Sequence, residues 1–131
     1  MIKNILISSI VFGLLDAFAM SLFMKKLALK HLRTHLSLNG EELQVNMLFA
    51  LIVYISMVLL SSIFLAPKIM NLSSSLYVWG YGFLFGICSF AVFDFTNGAL
   101  FKEYPLTFML TDTLWGGVLF STAAIFMFKF K

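Results

Sequence analysis

The sequence predicts an all-α protein, a four-helix transmembrane bundle with a short interfacial amphipathic helix after its first span. Three observations predict it. Of 131 residues, 61% are hydrophobic and only 11% charged, which leaves too little polar surface to wrap a soluble core of that size. The apolar positions number about 80, and each spanning helix consumes roughly 20. They fall into four long runs, and the charged residues gather mainly between and beyond them. A soluble globular protein is excluded, so the lipid bilayer is the expected partner and a multi-pass integral membrane protein the expected class. The net charge of +3 comes from Lys and Arg at the ends of apolar runs, where they anchor helices at the interface, and gives no support to nucleic-acid binding. A single cysteine, Cys88, precludes an internal disulfide.

The first apolar run predicts a span at about 4–24, interrupted by Asp16 and closed by Lys25 and Lys26. A cleaved leader competes with it, because Lys3, an apolar stretch and Ala17-Phe18-Ala19 imitate a signal sequence; the acid just before that site and the apolar Met20–Met24 that follows favour a span. Residues 25–38 place Leu29, Leu32 and Leu36 on one helical face among Lys, Arg and His, which predicts an amphipathic continuation at headgroup level. Asn39-Gly40 breaks it. Asn39 with Glu42 resembles a capping box, and so predicts a second helix beginning near Gly40, its span at about 43–66 and ended by Pro67. Asn71 and Ser73–Ser75 form a polar turn that supplies the cap of a third span, at about 76–97. A tight link through Lys102 and Glu103 leads to Pro105, tolerated in a first turn, and to a fourth span at about 106–128. Residues 1–131 thus read as one integral membrane domain, without repeats. Loops one and three hold Lys25, Lys26, Lys30, Arg33 and Lys102 against Lys3, Lys68, Lys129 and Lys131 opposite, a slight lean toward loops one and three being cytoplasmic.

Three acids lie inside these spans. A carboxylate at mid-membrane costs about 2.5–3.5 kcal/mol on insertion scales, so each is a functional candidate. Asp16 precedes Lys25 by nine residues, Asp94 precedes Lys102 by eight and Asp112 follows Pro105 by seven, depths of roughly 10–14 Å from one membrane face. They can converge. Asn46, Asn97 and Trp115 fall in the same half, whereas Met57–Leu65 and Val118–Phe128 are nearly all apolar. The expectation is a polar pocket of Asp16, Asn46, Asp94, Asn97, Asp112 and Trp115, open toward loops one and three and plugged behind. Three ionised carboxylates would repel in low dielectric, so at least one is expected to be protonated unless a cation is bound.

Other signals are weaker. His31 and His35 could share a metal with Glu41 or Glu42, but a solvated basic face over anionic headgroups is the preferred reading and needs no further ligand. Gly82-x-x-x-Gly86 allows close helix approach, inside the bundle or in a homo-oligomer, with the bundle preferred. The 16 Phe and 8 Met read as core or lipid-facing bulk. No haem, flavin or nucleotide signature is present, and the cofactor requirement stays unknown.

The run Asp94-Phe95-Thr96-Asn97, then Ala99, Lys102, Tyr104-Pro105 and Asp112-x-x-Trp115-Gly116, with Leu15-Asp16 in the first span, resembles a bacterial family of small predicted membrane proteins catalogued as domain of unknown function 2177. The resemblance covers essentially the whole chain. It departs from the family's pattern at Phe93, usually tyrosine, at Glu103, usually glycine, and at Tyr104, usually tryptophan. What it implies is four spans and weight on the motif positions, with no reaction attached. The residues leave three readings: binding or transport of a proton, cation or small polar ligand; a membrane-embedded enzyme acting on a lipid, with Asp94 or Asp112 as base and Asn97 orienting substrate; and a structural membrane component in which each Asp is packing glue.

Overall fold

The computed structural model describes residues 1–131 and contains four helices long and apolar enough to cross a membrane: Ile2–His31, Met47–Ile69, Ser75–Leu100 and Leu106–Lys129. The fourth is the hub. Some 56% of its most apolar stretch is buried against 17–28% in the others, because the first, second and third helices all pack on it.

The first helix continues without a break into the expected interfacial segment, through a wide π-helical turn at Met20–Met24. Ala28 and Leu32 are buried with Phe108 at the start of the fourth helix, so the amphipathic stretch is tied down by the bundle rather than floating as a separate element. The second helix departs from expectation at both ends. Asn39 and Glu42 do not cap it; they pair across a two-stranded hairpin, β1 (Leu38–Asn39) with β2 (Glu42–Leu43), whose turn Gly40 makes with φ +64°, an angle that glycine adopts without penalty. The helix starts at Met47, four residues into the expected span. Nor does Pro67 end it. A second π-helical turn, Leu60–Leu65, lies just ahead, where the missing proline N–H and the bulk of its ring disturb the regular ladder, and the helix then runs on to Ile69. The third helix is capped as expected by Ser74, whose Oγ accepts from Leu76 N–H at 3.2 Å. It runs on to Leu100, three residues past the expected end.

Small residues set the closest packing. The third and fourth helices meet at Gly82 and Gly86 on one side and Gly116, Gly117, Ser121 and Ala124 on the other; a Cβ on Gly82 would come within 2.7 Å of Ser121 Cα, and one on Gly86 would collide with the Gly116 carbonyl. The Gly-x-x-x-Gly pair is therefore used within the chain. Behind it, Phe12, Phe85 and Phe120 pack ring to ring, with centroids of 5.0 Å (Phe12–Phe120) and 5.4 Å (Phe85–Phe120). The few hydroxyls of this apolar half serve local bonds: Ser8 and Ser62 face each other at 3.3 Å, joining the first and second helices, and the Tyr54 hydroxyl donates to the Ser9 carbonyl.

Glu103, in the link before the fourth helix, has φ +62°, which strains any residue with a Cβ and favours glycine. Replacing it should relieve that strain: Glu103→Gly is expected to stabilise the protein by about 1 kcal/mol. Gly86→Ala should cost about 1–3 kcal/mol by overpacking, while Gly80→Ala, inside the same helix with open space around it, should stabilise by about 0.5–1 kcal/mol. Thermal unfolding of the purified protein in detergent micelles reads all three, and equal effects at Gly80 and Gly86 would refute the close interface.

Candidate functional site

The acids sit on three different helices, and the fourth helix brings them into one neighbourhood. Asp94 is fully buried on the third helix. Its Oδ2 accepts from the Thr113 hydroxyl at 3.0 Å, across the interface that the glycines bring together. Its Oδ1 is sealed from solvent and meets no amide or hydroxyl donor. The Asp112 carboxyl, one residue before Thr113, lies within hydrogen-bonding reach of Asp94, so that one proton shared by the pair gives the two acids a bond to each other. Asp16 belongs to the first helix, half-buried, and its Oδ1 accepts from the Trp115 indole N–H at 3.2 Å. Trp115 is held in turn by Phe23, edge to face at 5.4 Å. Residues 112, 113, 115 and 116 thus form one turn of the fourth helix that meets Asp94 on one side and Asp16 on the other, with neutral donors rather than cations answering the acids.

Two cavities reach this turn. One, of about 550 Å³, opens near loops one and three and is lined by His35, Asn97, Tyr104, Phe108 and Asp112 among others. The second, of about 390 Å³, is an apolar groove between the second, third and fourth helices. Asp112 lines both.

Of the residues singled out in the sequence, Asp94, Asp112, Asn97, Asp16 and Trp115 gather around this turn. Asn46 does not join them. It caps the second helix, its Oδ1 accepting from Leu48 N–H at 3.1 Å and Phe49 N–H at 3.2 Å, and it is exposed. Sequence reasoning missed three contributors. Thr113 carries a hydroxyl on the buried face of the fourth helix, visible only once it is known which face meets the third. Tyr104 was seen as a motif position without a role; it packs on Phe101, Phe108 and His35 and interacts with the Asn97 amide. His35, read as part of a solvated basic face, is exposed, and it also stands edge-on to Phe101 and Tyr104 at 5.8 Å each. No three His, Cys, Asp or Glu side chains come together as a metal-holding group, so His31 and His35 are not assembled with Glu41 and Glu42.

The family model described as a predicted membrane protein, domain of unknown function 2177, matches residues 1–129, and the chain belongs to that family. Comparison with curated proteins and with solved structures gives no match.

Two outcomes follow from these contacts. Thr113 supplies the hydrogen bond to Asp94, so Thr113→Val should destabilise the folded protein by about 1–3 kcal/mol, and Thr113→Ser should restore most of that. A valine variant as stable as wild type would show the bond to be dispensable. The Tyr104 hydroxyl, outside the spans, is pushed above the ordinary tyrosine value of 10.0 chiefly by burial, with the Asn97 amide opposing and the charge of Asp94 and Asp112 adding to the shift. Since its folded value exceeds the unfolded one, stability is intact below about 10 and is lost as pH rises beyond it. Tyr104→Phe should therefore flatten the alkaline limb of the stability profile, and identical limbs in variant and wild type would contradict this.

Proposed function

We propose that this integral membrane protein binds, or carries, a cation or small polar ligand that donates hydrogen bonds, at the Asp94–Asp112 pair, approached from the side of loops one and three. The single observation behind the reading is a pair of facing carboxyls, Asp94 sealed inside the helix interface and Asp112 lining the cavity beside it, with no Lys or Arg in that lining to answer them. A donor that enters the cavity meets Asp112 and answers a carboxyl pair that otherwise has only the Thr113 hydroxyl and a shared proton. Two facing carboxyls favour a group bearing positive charge or a polarised O–H and disfavour anions. Asn97 and Tyr104 line the polar cavity beside Asp112 and offer an amide and a phenol to orient whatever enters.

The test is thermal unfolding of the full chain in detergent, titrated with methylammonium and, as a control of equal charge without N–H groups, tetramethylammonium. At ten times the dissociation constant methylammonium should raise the midpoint by roughly 3–6 °C. Asp94→Asn should lose the response and tetramethylammonium should not produce it. An Asp94→Asn protein as responsive as wild type, or one stabilised equally by both cations, would remove the reading.

A further inference from the structure

We propose that the occupant of this site is a membrane amphiphile: a single aliphatic chain ending in a hydrogen-bond-donating head that carries no negative charge, an ammonium or an alcohol. The inference rests on the reading of Asp94 and Asp112 given above and adds the ligand's class and a seat for its chain, open to the bilayer between the second and third helices, with the head in the cavity toward loops one and three.

The argument starts from the apolar groove. At about 390 Å³ it lies within the range of roughly 300–1,000 Å³ of ligand pockets, and its walls include Ile52, Val53, Met57, Phe90 and Phe93. Its two serines do not present free hydroxyl protons: Ser56 donates to the Ile52 carbonyl and Ser89 to the Phe85 carbonyl, each at 2.8 Å, within their own helices. Asp112 is therefore the one acidic group in an otherwise greasy channel. The first half of the second helix, Met47 to Val53, is exposed along its whole length, so nothing in the chain closes the groove from the lipid side.

Asp112 and Phe93 also line the polar cavity toward loops one and three, which makes them the boundary between an apolar compartment and a polar one. A molecule that fills both must itself be apolar along its length and polar at its end. The charge at the boundary chooses the head. Asp112 lies there with Asp94 buried behind it, outside both linings, and neither cavity is lined by Lys or Arg that would hold a phosphate or sulfate. An ammonium or hydroxyl head donates to Asp112, and an anion would be repelled by the carboxyl pair.

The experiment uses the full chain in proteoliposomes and three probes of equal chain length, hexadecylamine, hexadecanol and hexadecyl sulfate, each with a photoactivatable diazirine at mid-chain. Crosslinks are mapped by mass spectrometry. The amine and the alcohol should label the groove walls around positions 52–57 and 89–93 about tenfold more than the sulfate does, and Asp112→Asn should abolish the amine's preference. Ser56→Phe, which fills the groove without touching the acids, should cut labelling by the amine several-fold while leaving stabilisation by methylammonium as it was. Equal labelling by all three heads, or a preference that survives Asp112→Asn, would identify ordinary annular lipid and overturn the inference. Wild-type labelling in Ser56→Phe would do the same. Loss of the head preference beside an intact methylammonium response removes the amphiphile alone, whereas a wild type indifferent to methylammonium removes the underlying site.

Discussion

A carboxyl group that leaves water for hydrocarbon must be met by another polar group, since no solvent remains to meet it. In this chain that constraint falls on three helices at once. The answer is one turn of the fourth helix: Thr113 for Asp94, Trp115 for Asp16, and Asp112 between them. For the acids to be answered, the fourth helix has to lie within hydrogen-bond reach of both the first and the third. The glycines at 82, 86, 116 and 117 make that approach possible, because side chains there would hold the third and fourth helices apart. Polar demand and close packing therefore specify the same arrangement, and neither would hold it alone: dispersion between smooth helices does not choose a rotation, and a hydrogen bond does not form across a gap.

Much of this was legible in the sequence, for physical reasons that can be named. Spans announce themselves by length and hydropathy, since every buried backbone group must be satisfied within a helix, and so four were countable. The shared depth of the acids followed from counting residues to the nearest charge. Helix ends were less legible. Asn39 and Glu42 have the spacing of a cap and the chemistry of a hairpin, and only the pairing of Leu38 with Leu43 decides between them. Pro67 stops most helices, but a wide turn ahead of it can absorb the strain. What composition could not reveal was azimuth: which side of each helix looks inward. Asn46 missed on depth instead, because the hairpin delays the second helix to Met47 and leaves Asn46 at its end, serving the backbone; Thr113 and His35 contribute although nothing in their neighbours marks them.

The two halves of the protein divide the labour. Toward loops one and three lie the acids, the aromatic link and the polar cavity, while the apolar groove runs from Asp112 into the other half as far as Phe120. There Phe12, Phe85, Phe120 and a few inward-bonded hydroxyls fill the space. Such an asymmetry is compatible with a compartment that fills and empties from one side or from the lipid, and it gives a reason for the crowding of glycine and alanine in the fourth helix, whose surroundings have to be rigid if a buried, half-satisfied carboxyl is to be kept in place.

The bond between Asp16 and Trp115 closes over 99 residues of chain. At about 5–20 residues per second, a ribosome needs roughly 5–20 s to make the tryptophan after the aspartate has left it. Over that interval the first hydrophobic segment is presented to the insertion machinery with an acid that no finished partner can accept, and the last segment to be made is the one that settles the account. The earliest helix thus waits for the latest to answer its acid, and a nascent chain cut short before the fourth helix would leave Asp16 without its indole donor, held only through the contacts of Ser8 and Ser9 with the second helix.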